Sequence, residues 1–363
     1  MEAARPSVVL AAHREVYASD ISAKDVDRLR GFAEFRHAKF DRPSSWEEPP
    51  APDAATDRKL IELVAGADAL VVSHGAPRIS AQIMDACPSL RFIGELEGDR
   101  FAQRIDVEAA WQRGIRTVDT TNGTSYGVSE WALALALIGL RNAGDLYRRM
   151  VVGRQERFHP GFLDDRGYRG GELGGKTVGL IGCGIIGRRL LELLAPFHCP
   201  AFVHDPYVPR ELADIYDVTL TSLDKVMSLS DVVFCLAPIT PATRGMLGVH
   251  EFALMRDDAV FVNVSRGAVV QSEALISELQ SGRITAALDV FDPEPMPAGS
   301  PMRDLPNVFL SPHIGGVTPD SRRRLFALMV DELERFFAGH ETRYDLLPST
   351  IANRTGQPPD TRR

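Results

Sequence analysis

Residues 177–187 read TVGLIGCGIIG, and this stretch decides the fold. Val178 to Ile181 form a short apolar run of the length expected for a buried strand. Gly182, Gly184 and Gly187 then supply a tight turn, a close backbone approach for a pyrophosphate and a close helix–strand contact. A helix opening near Ile185 would offer its N-terminal N–H groups to that pyrophosphate. A lone G-x-G-x-x-G is a weak signal, and a glycine turn that only packs well is its plain alternative. Here the motif follows a strand, opens a helix over residues 188–194 and is followed by a second strand, Ala201 to His204, that ends in Asp205. A carboxylate at that strand end accepts hydrogen bonds from the adenine ribose hydroxyls and repels a 2′-phosphate, which predicts NAD rather than NADP.

Strand and helix signals alternate outward from the glycine loop. Upstream, apolar runs at 7–11, 69–73, 90–94 and 115–118 alternate with helical stretches at 24–30, 57–64, 81–86 and 107–113, the pattern of a small βα domain. A proline-rich acidic segment at 41–52 reads as a surface loop, and 128–150 as one long helix bridging two domains. Residues 151–175, rich in Gly and Arg, precede the dinucleotide unit. Downstream, runs at 231–236, 259–264, 284–290 and 308–311 bring the strands of that unit to six, a doubly wound parallel sheet. An amphipathic helix over 320–338 could return to the first domain, and the polar stretch 349–363 reads as a disordered tail.

Composition bounds the partners. At 363 residues the chain suggests two domains, and its 44% hydrophobic content suffices for two cores. A net charge of -8, with both signs interspersed, leaves no basic stripe for nucleic acid and no polybasic membrane patch. Neither a secretory apolar run nor a membrane span is evident, so a cytoplasmic protein is expected. Cys87, Cys183, Cys199 and Cys235 lack zinc-type spacing; free thiols and no metal are expected. Oxidation of Cys183, inside the glycine loop, could block a cofactor, whereas its plain reading is a small apolar filler.

Ligands of such sheets bind at the carboxyl ends of the strands. Those ends carry Asn263-Val264-Ser265-Arg266-Gly267, then Asp289-Val290-Phe291-Asp292-Pro293-Glu294-Pro295, then Ser311-Pro312-His313-Ile314-Gly315-Gly316. Each of Arg266, Asp289, Glu294 and His313 has a structural explanation when taken alone. On successive strand ends beside a dinucleotide site they would converge on one crevice.

These motifs resemble those of the D-isomer-specific 2-hydroxyacid dehydrogenases, the family of phosphoglycerate, glyoxylate/hydroxypyruvate and D-lactate dehydrogenases. The resemblance runs from about residue 67 to 337 and is densest in ELGGKTVGLIGCGIIG, NVSRG, DVFDPEP and PHIGG. It implies a Rossmann cofactor domain, 124–318, inserted in a smaller flavodoxin-like substrate domain built from 1–123 and 319–348, assembled as a homodimer. The reaction implied is NAD-dependent hydride transfer between a 2-oxo acid and a D-2-hydroxy acid.

That reaction needs a group titrating near neutrality for the proton and a cation for the carboxylate. His313 suits the first role, Glu294 would fix its tautomer, and the Arg266 fork can hold carboxylate and carbonyl oxygen together. The resemblance places Asp289 at the nicotinamide carboxamide and Ala237-Pro238 at the nicotinamide ribose. It sets Thr243 and the helix start at Val128 near the phosphates or ribose. The cofactor set is then Gly182, Gly184, Ile185, Ile186, Gly187, Asp205, Ala237, Pro238, Thr243, Val264, Ser265, Asp289, His313 and Gly315, while substrate would meet His74, Gly75 and Arg266.

Two departures bear on substrate. Where the family has a glycine-rich turn before Asn-Ile-Asp, this chain has GELEGDRFAQRID, with Glu95, Glu97 and Asp99; carboxylates there would oppose small anionic substrates, unless all three point to solvent. Gln271 stands where an acid is common. Formate dehydrogenases of the family usually carry Gln at the position of Glu294, which argues against formate. Two other classes remain open: a cofactor-sensing corepressor-like binding protein, and a dehydrogenase of a phosphonate or phosphite donor.

Overall fold

The computed structural model describes residues 5–41, 50–97, 104–153, 171–347 and 351. Most of the proline-rich segment and of the Gly/Arg-rich loop, together with Asp99 and the tail apart from Ile351, lie outside them. The chain divides into two compact units, Met1–Thr124 with Thr318–Arg363, and Ser125–Val317.

In chain order the first unit holds β1 (Ser7–Ala12), α1 (Arg14–Asp20), α2 (Ala23–Phe32), β2 (Glu34–Lys39), α3 (Ala54–Val64), β3 (Ala69–Val72), α4 (Ala81–Ala86), β4 (Phe92–Glu95), α5 (Val107–Gln112) and β5 (Arg116–Asp119). The second unit follows with α6 (Ser125–Leu140), α7 (Ala143–Val151), β6 (Val178–Ile181), α8 (Ile185–Leu194), β7 (Ala201–His204), α9 (Glu211–Tyr216) and β8 (Val218–Leu220). It continues through α10 (Leu223–Leu229), β9 (Val232–Cys235), α11 (Val249–Leu254), β10 (Val260–Asn263), α12 (Ser272–Gln280), β11 (Thr285–Leu288) and β12 (Val308–Leu310); α13 (Pro319–Phe337) belongs again to the first unit.

The first unit's sheet is parallel, in the order β2-β1-β3-β4-β5, the flavodoxin-like winding. Its strand order reverses between β1 and β3. At that switch point the His13 N–H donates to the His74 carbonyl at 2.6 Å. Both faces of the sheet are apolar. One packs under Leu60, Val64, Ile83 and Ile105, the other under α13 through Leu325, Phe326, Met329 and Leu333. Burying such side chains stabilises by roughly 1.5–3 kcal/mol each before the cost of ordering the chain.

The second unit's sheet is also parallel, in the order β12-β11-β10-β9-β6-β7-β8. Strands β6, β9, β10 and β11 are buried at every residue, which is why they read as continuous apolar runs rather than alternating ones. The order reverses between β6 and β9. A crevice for a ligand is expected outside the carboxyl ends of those two strands.

The structure corrects four readings. Strand β2, EFRHAK, is an edge strand whose exposed residues, Glu34, Arg36 and Lys39, are all charged, and it carries no apolar run. Strand β8, three residues long, is an edge strand of the second unit's sheet; it makes seven strands there instead of six. Helix α1 begins right after His13, whose side chain accepts from the Glu15 N–H. The single helix expected over 128–150 is two, broken at Asn142, which adopts φ 45° and ψ 39°. This left-handed conformation is tolerated best by Asn, Asp and Gly. The first of the two starts at Ser125, three residues before the expected Val128.

Gly267 has no room to be anything else. A Cβ there would lie 1.8 Å from the Phe291 carbonyl carbon and 2.5 Å from the Asp292 nitrogen, because the loop after β10 runs against the loop after β11. Gly267→Ala should lower stability by about 1–3 kcal/mol or more, the usual cost of forcing extra volume into a packed site. Urea unfolding of the variant checks this, and an unchanged midpoint would contradict the close approach.

Candidate active site

The glycine loop connects β6 to α8. Gly182 takes φ 92°, and a Cβ on it would fall 2.8 Å from the Ala237 nitrogen, so the turn after β6 lies directly against the turn after β9. Around Gly184 there is nothing within 4 Å of the Cβ position, and α8 starts there without a side-chain cap. No side chain of the cap residue takes its first N–H groups, and a helix start of this kind suits an anion. Gly187 closes the motif, with its Cβ position 3.1 Å from the Gly182 carbonyl oxygen. Ile185 is exposed and Ile186 half-buried beside it.

Asp205 stands one residue past β7. Its Oδ2 accepts from the Cys183 N–H at 2.7 Å and its Oδ1 from the Tyr207 N–H at 2.9 Å. The carboxylate thereby ties the glycine loop to the next strand and keeps acceptor directions for a ribose. The Cys183 thiol beside it is buried, and burial together with the Asp205 charge pushes its pKa up to about 11. A thiol held protonated in this way is a poor nucleophile, in keeping with the filler reading. All four cysteines are free.

After β9, Ala237 is buried, and Thr243 closes the loop on itself. Its hydroxyl donates to the Pro238 carbonyl at 2.6 Å and accepts from the Thr240 N–H at 2.8 Å. Beyond β10, Asn263 Oδ1 accepts from both the Ser265 N–H and hydroxyl, while its Nδ2 donates to the Arg266 carbonyl. Val264 and Ser265 are buried and Arg266 half-buried. Burial pulls the Arg266 guanidinium below its ordinary pKa, and the nearby Glu294 carboxylate pushes the other way. A shielded cation held opposite a carboxylate suits recognition of an anion.

The third group comes from the ends of β11 and β12. His313 Nδ1 lies 2.5 Å from Glu294 Oε1, and both side chains are about one-third exposed. Asp289 is buried, at 2% exposure. Its Oδ1 accepts from Trp131 Nε1, the Ser311 hydroxyl and the Ile314 N–H; its Oδ2 accepts from the Gly315 N–H. Arg266, Glu294 and His313 are thus brought to neighbouring strand ends. Sequence reasoning missed Trp131: it sits in an apolar helical run, 158 residues from Asp289.

In the first unit, His74 and Gly75 follow β3 at the switch point. Gly75 takes φ 89°, with its Cβ position 2.5 Å from the Phe40 carbonyl oxygen, so both its backbone conformation and its packing call for glycine. Glu95 and Glu97 do not point to solvent. Glu95, 1% exposed, accepts from Arg104 Nη1 at 2.7 Å, and Glu97 meets the His74 imidazole. The free carboxylates expected from the sequence are therefore paired, and their opposition to an anion is correspondingly reduced. Asp99 lies outside the described residues. Gln271, just before α12, donates to the Gly245 carbonyl.

Comparison with known proteins places this geometry. Residues 133–315 match the family model described as "D-isomer specific 2-hydroxyacid dehydrogenase, NAD binding domain". The chain belongs to that family. It is 31% identical over 286 residues to the D-3-phosphoglycerate dehydrogenase of Methanocaldococcus jannaschii, a match covering 78% of this chain and 52% of that protein. It is 34% identical over 246 residues to the mitochondrial formate dehydrogenase of Hordeum vulgare, covering 66% and 63%. The chain thus spans about half the length of the phosphoglycerate dehydrogenases it matches. Among solved structures, a phosphoglycerate oxidoreductase from Rhizobium etli superposes with a TM-score of 0.79 at 25% identity, covering 94% of this chain and 98% of that one. In this family member the NAD-binding domain is the α/β unit around the glycine loop. The open cradle at Gly184, the uncapped start of α8 and Asp205 all fit the dinucleotide. No helix among the described residues is long and apolar enough to cross a membrane.

Burial raises the Glu95 carboxyl to about 8 against the pull of Arg104, with the Asp119 and Glu97 charges adding to the rise. Below about pH 4.5 both folded and unfolded chains hold this proton. Between there and pH 8 the folded chain keeps a proton that the unfolded chain has released, so this group's contribution makes stability fall as pH rises. Glu95→Gln should flatten that fall, as read by urea unfolding at pH 5, 6.5 and 8. Parallel pH slopes in the two proteins would refute the assignment.

Proposed function

We propose that this chain is an NAD-dependent dehydrogenase interconverting a 2-oxo acid and a D-2-hydroxy acid. The observation that carries the reading is the His313–Glu294 pair, held at the strand ends that also present Arg266. When bound, the nicotinamide supplies or accepts the hydride. The protein's own tasks are then to place the carbonyl, hold its carboxylate and move one proton.

Glu294 takes the Nδ1 position of His313, which fixes the tautomer and stabilises the imidazolium. Nε2 has no hydrogen-bond partner among the described residues, so it is the atom that would give a proton to the emerging alkoxide or take one from the hydroxyl. Arg266 would hold the substrate carboxylate and the carbonyl oxygen, where negative charge develops during reduction. Gly182, Gly184 and Gly187 would hold the pyrophosphate, and Asp205 the adenine ribose. His74 and Gly75, at the switch point of the other sheet, are the substrate-side candidates.

Formate oxidation gives up a hydride and leaves carbon dioxide, with no proton to transfer at the reacting carbon. A histidine with a dedicated carboxylate partner is a device for moving protons. It therefore favours a hydroxy acid over formate, although formate dehydrogenases are among the relatives. A sensor role predicts tight NADH binding with negligible turnover of any 2-oxo acid, and a phosphorus-donor role predicts NAD reduction by phosphite or a phosphonate instead.

His313→Ala should lower kcat by about 10²- to 10⁴-fold, the worth of positioned acid–base catalysis, with NADH binding nearly unchanged. Arg266→Ala should damage KM and kcat together, because one cation serves both the bound carboxylate and the developing oxyanion. Steady-state assays with a panel of 2-oxo acids check both, and full activity of His313→Ala would end the mechanism. Cofactor choice is a separate measurement: kcat/KM should favour NADH over NADPH, since Asp205 would meet the 2′-phosphate with like charge. A preference for NADPH would mean that a basic group compensates, and Arg210 just before α9 is the nearest in the following loop.

A further inference from the structure

We propose that Trp131 is a positioning residue for the acid–base histidine, acting through Ser311 and Asp289; this rests on the role of His313 given above. His313 adopts φ 53°, a left-handed conformation that is unfavourable for a non-glycine residue. The surrounding structure must hold it there. Its N–H is shared between the Asp289 and Ser311 carbonyls, at 2.9 and 3.0 Å. The next two N–H groups, of Ile314 and Gly315, both end on the Asp289 carboxylate, at 3.0 and 2.9 Å. The backbone at His313 is therefore only as well placed as that carboxylate.

Trp131 and Ser311 place the carboxylate. The indole Nε1–H is shared between Asp289 Oδ1 at 3.2 Å and the Ser311 oxygen at 3.0 Å, and the Ser311 hydroxyl donates to Asp289 Oδ1 at 2.5 Å. With one lone pair of Ser311 taken by the indole, its hydroxyl proton is directed to Asp289. Its other acceptor within reach is the Leu288 carbonyl, at 3.5 Å. Without the indole N–H, the serine is free to rotate to that carbonyl, and Asp289 then loses two of its four donors together. The indole ring also bounds the loop directly, since a Cβ on Gly315 would lie 3.2 Å from Trp131 Cδ1.

Helix α6 is suited to this task because it is itself anchored to the cofactor loop. It packs on α8, with the Arg189 guanidinium 3.3 Å from the centre of the Tyr126 ring. One rigid element thus sets the His313 loop against the helix that opens at Gly184. A misplacement of about 1 Å at a reacting group costs up to about 10²-fold in rate.

The test is Trp131→Phe, which keeps an aromatic ring and removes the N–H, alongside Ser311→Ala, the double variant and His313→Ala. Trp131→Phe should lower kcat by about tenfold, with KM and the NADH dissociation constant from fluorescence titration within about threefold of wild type. Because both groups act on one carboxylate, the double variant should lose no more than the worse single one. A wild-type kcat in Trp131→Phe, a drop confined to the melting temperature, or losses that multiply in the double variant would each overturn the proposal. Full activity in His313→Ala would instead remove the reading beneath it, so the two failures are told apart.

Discussion

A buried carboxylate satisfied by neutral donors organises the site. Asp289 is 2% exposed and receives four hydrogen bonds, from α6, from the residue that follows β12 and from two successive backbone N–H groups. Transferring such a group out of water without partners would cost many kcal/mol, and a carboxylate offers about four acceptor positions. The chain brings three donors to Oδ1 and one to Oδ2, and in doing so it joins segments more than 150 residues apart. The turn after β12, the left-handed backbone of His313 and the requirement for glycine at 315 follow from satisfying that one group.

Parallel winding explains why the functional residues collect where they do. Each strand of a parallel sheet delivers its carboxyl end to the same edge, and the reversal of strand order opens a gap there. In the NAD-binding domain that gap is lined by the turns after β6 and β9, so close that only glycine fits at 182. In the other unit the corresponding gap lies between β1 and β3, where His13 and His74 are joined through their backbones and Gly75 admits the Phe40 carbonyl. Glycine thus appears in both units where one backbone passes another, and in one of them the space beyond it is left open for a ligand.

What could be read from the chain, and what could not, divides along physical lines. The glycine loop, Asp205 and the strands buried on both faces were legible because each leaves a local mark: a fixed spacing, or an apolar run bounded by turns. The edge strands β2 and β8 were not, since a strand with one solvated edge need not be apolar, and three residues carry no period. The break at Asn142 depends on a single left-handed residue inside a run that is otherwise helical in character. Arg266, Glu294 and His313 were found from their positions at strand ends. The part played by Trp131 was hidden, because nothing near it in sequence distinguishes an indole that donates a hydrogen bond from one that fills a core.

The acidic turn of the first unit shows where reasoning from charge alone fails. Three carboxylates near an anion site imply mutual repulsion, on the order of 1–4 kcal/mol at about 4 Å depending on screening. The fold instead gives Glu95 a guanidinium at 2.7 Å and Glu97 an imidazole. Burial keeps the Glu95 carboxyl protonated up to about pH 8, and a protonated carboxyl carries no charge toward an anion. Repulsion of glyoxylate or pyruvate thereby loses most of its electrostatic basis. Losing the Glu95 contact would leave the buried Arg104 cation without its acceptor, which is costly in the interior, so the pairing holds the turn in one arrangement. The pairs make the turn stiff rather than repellent.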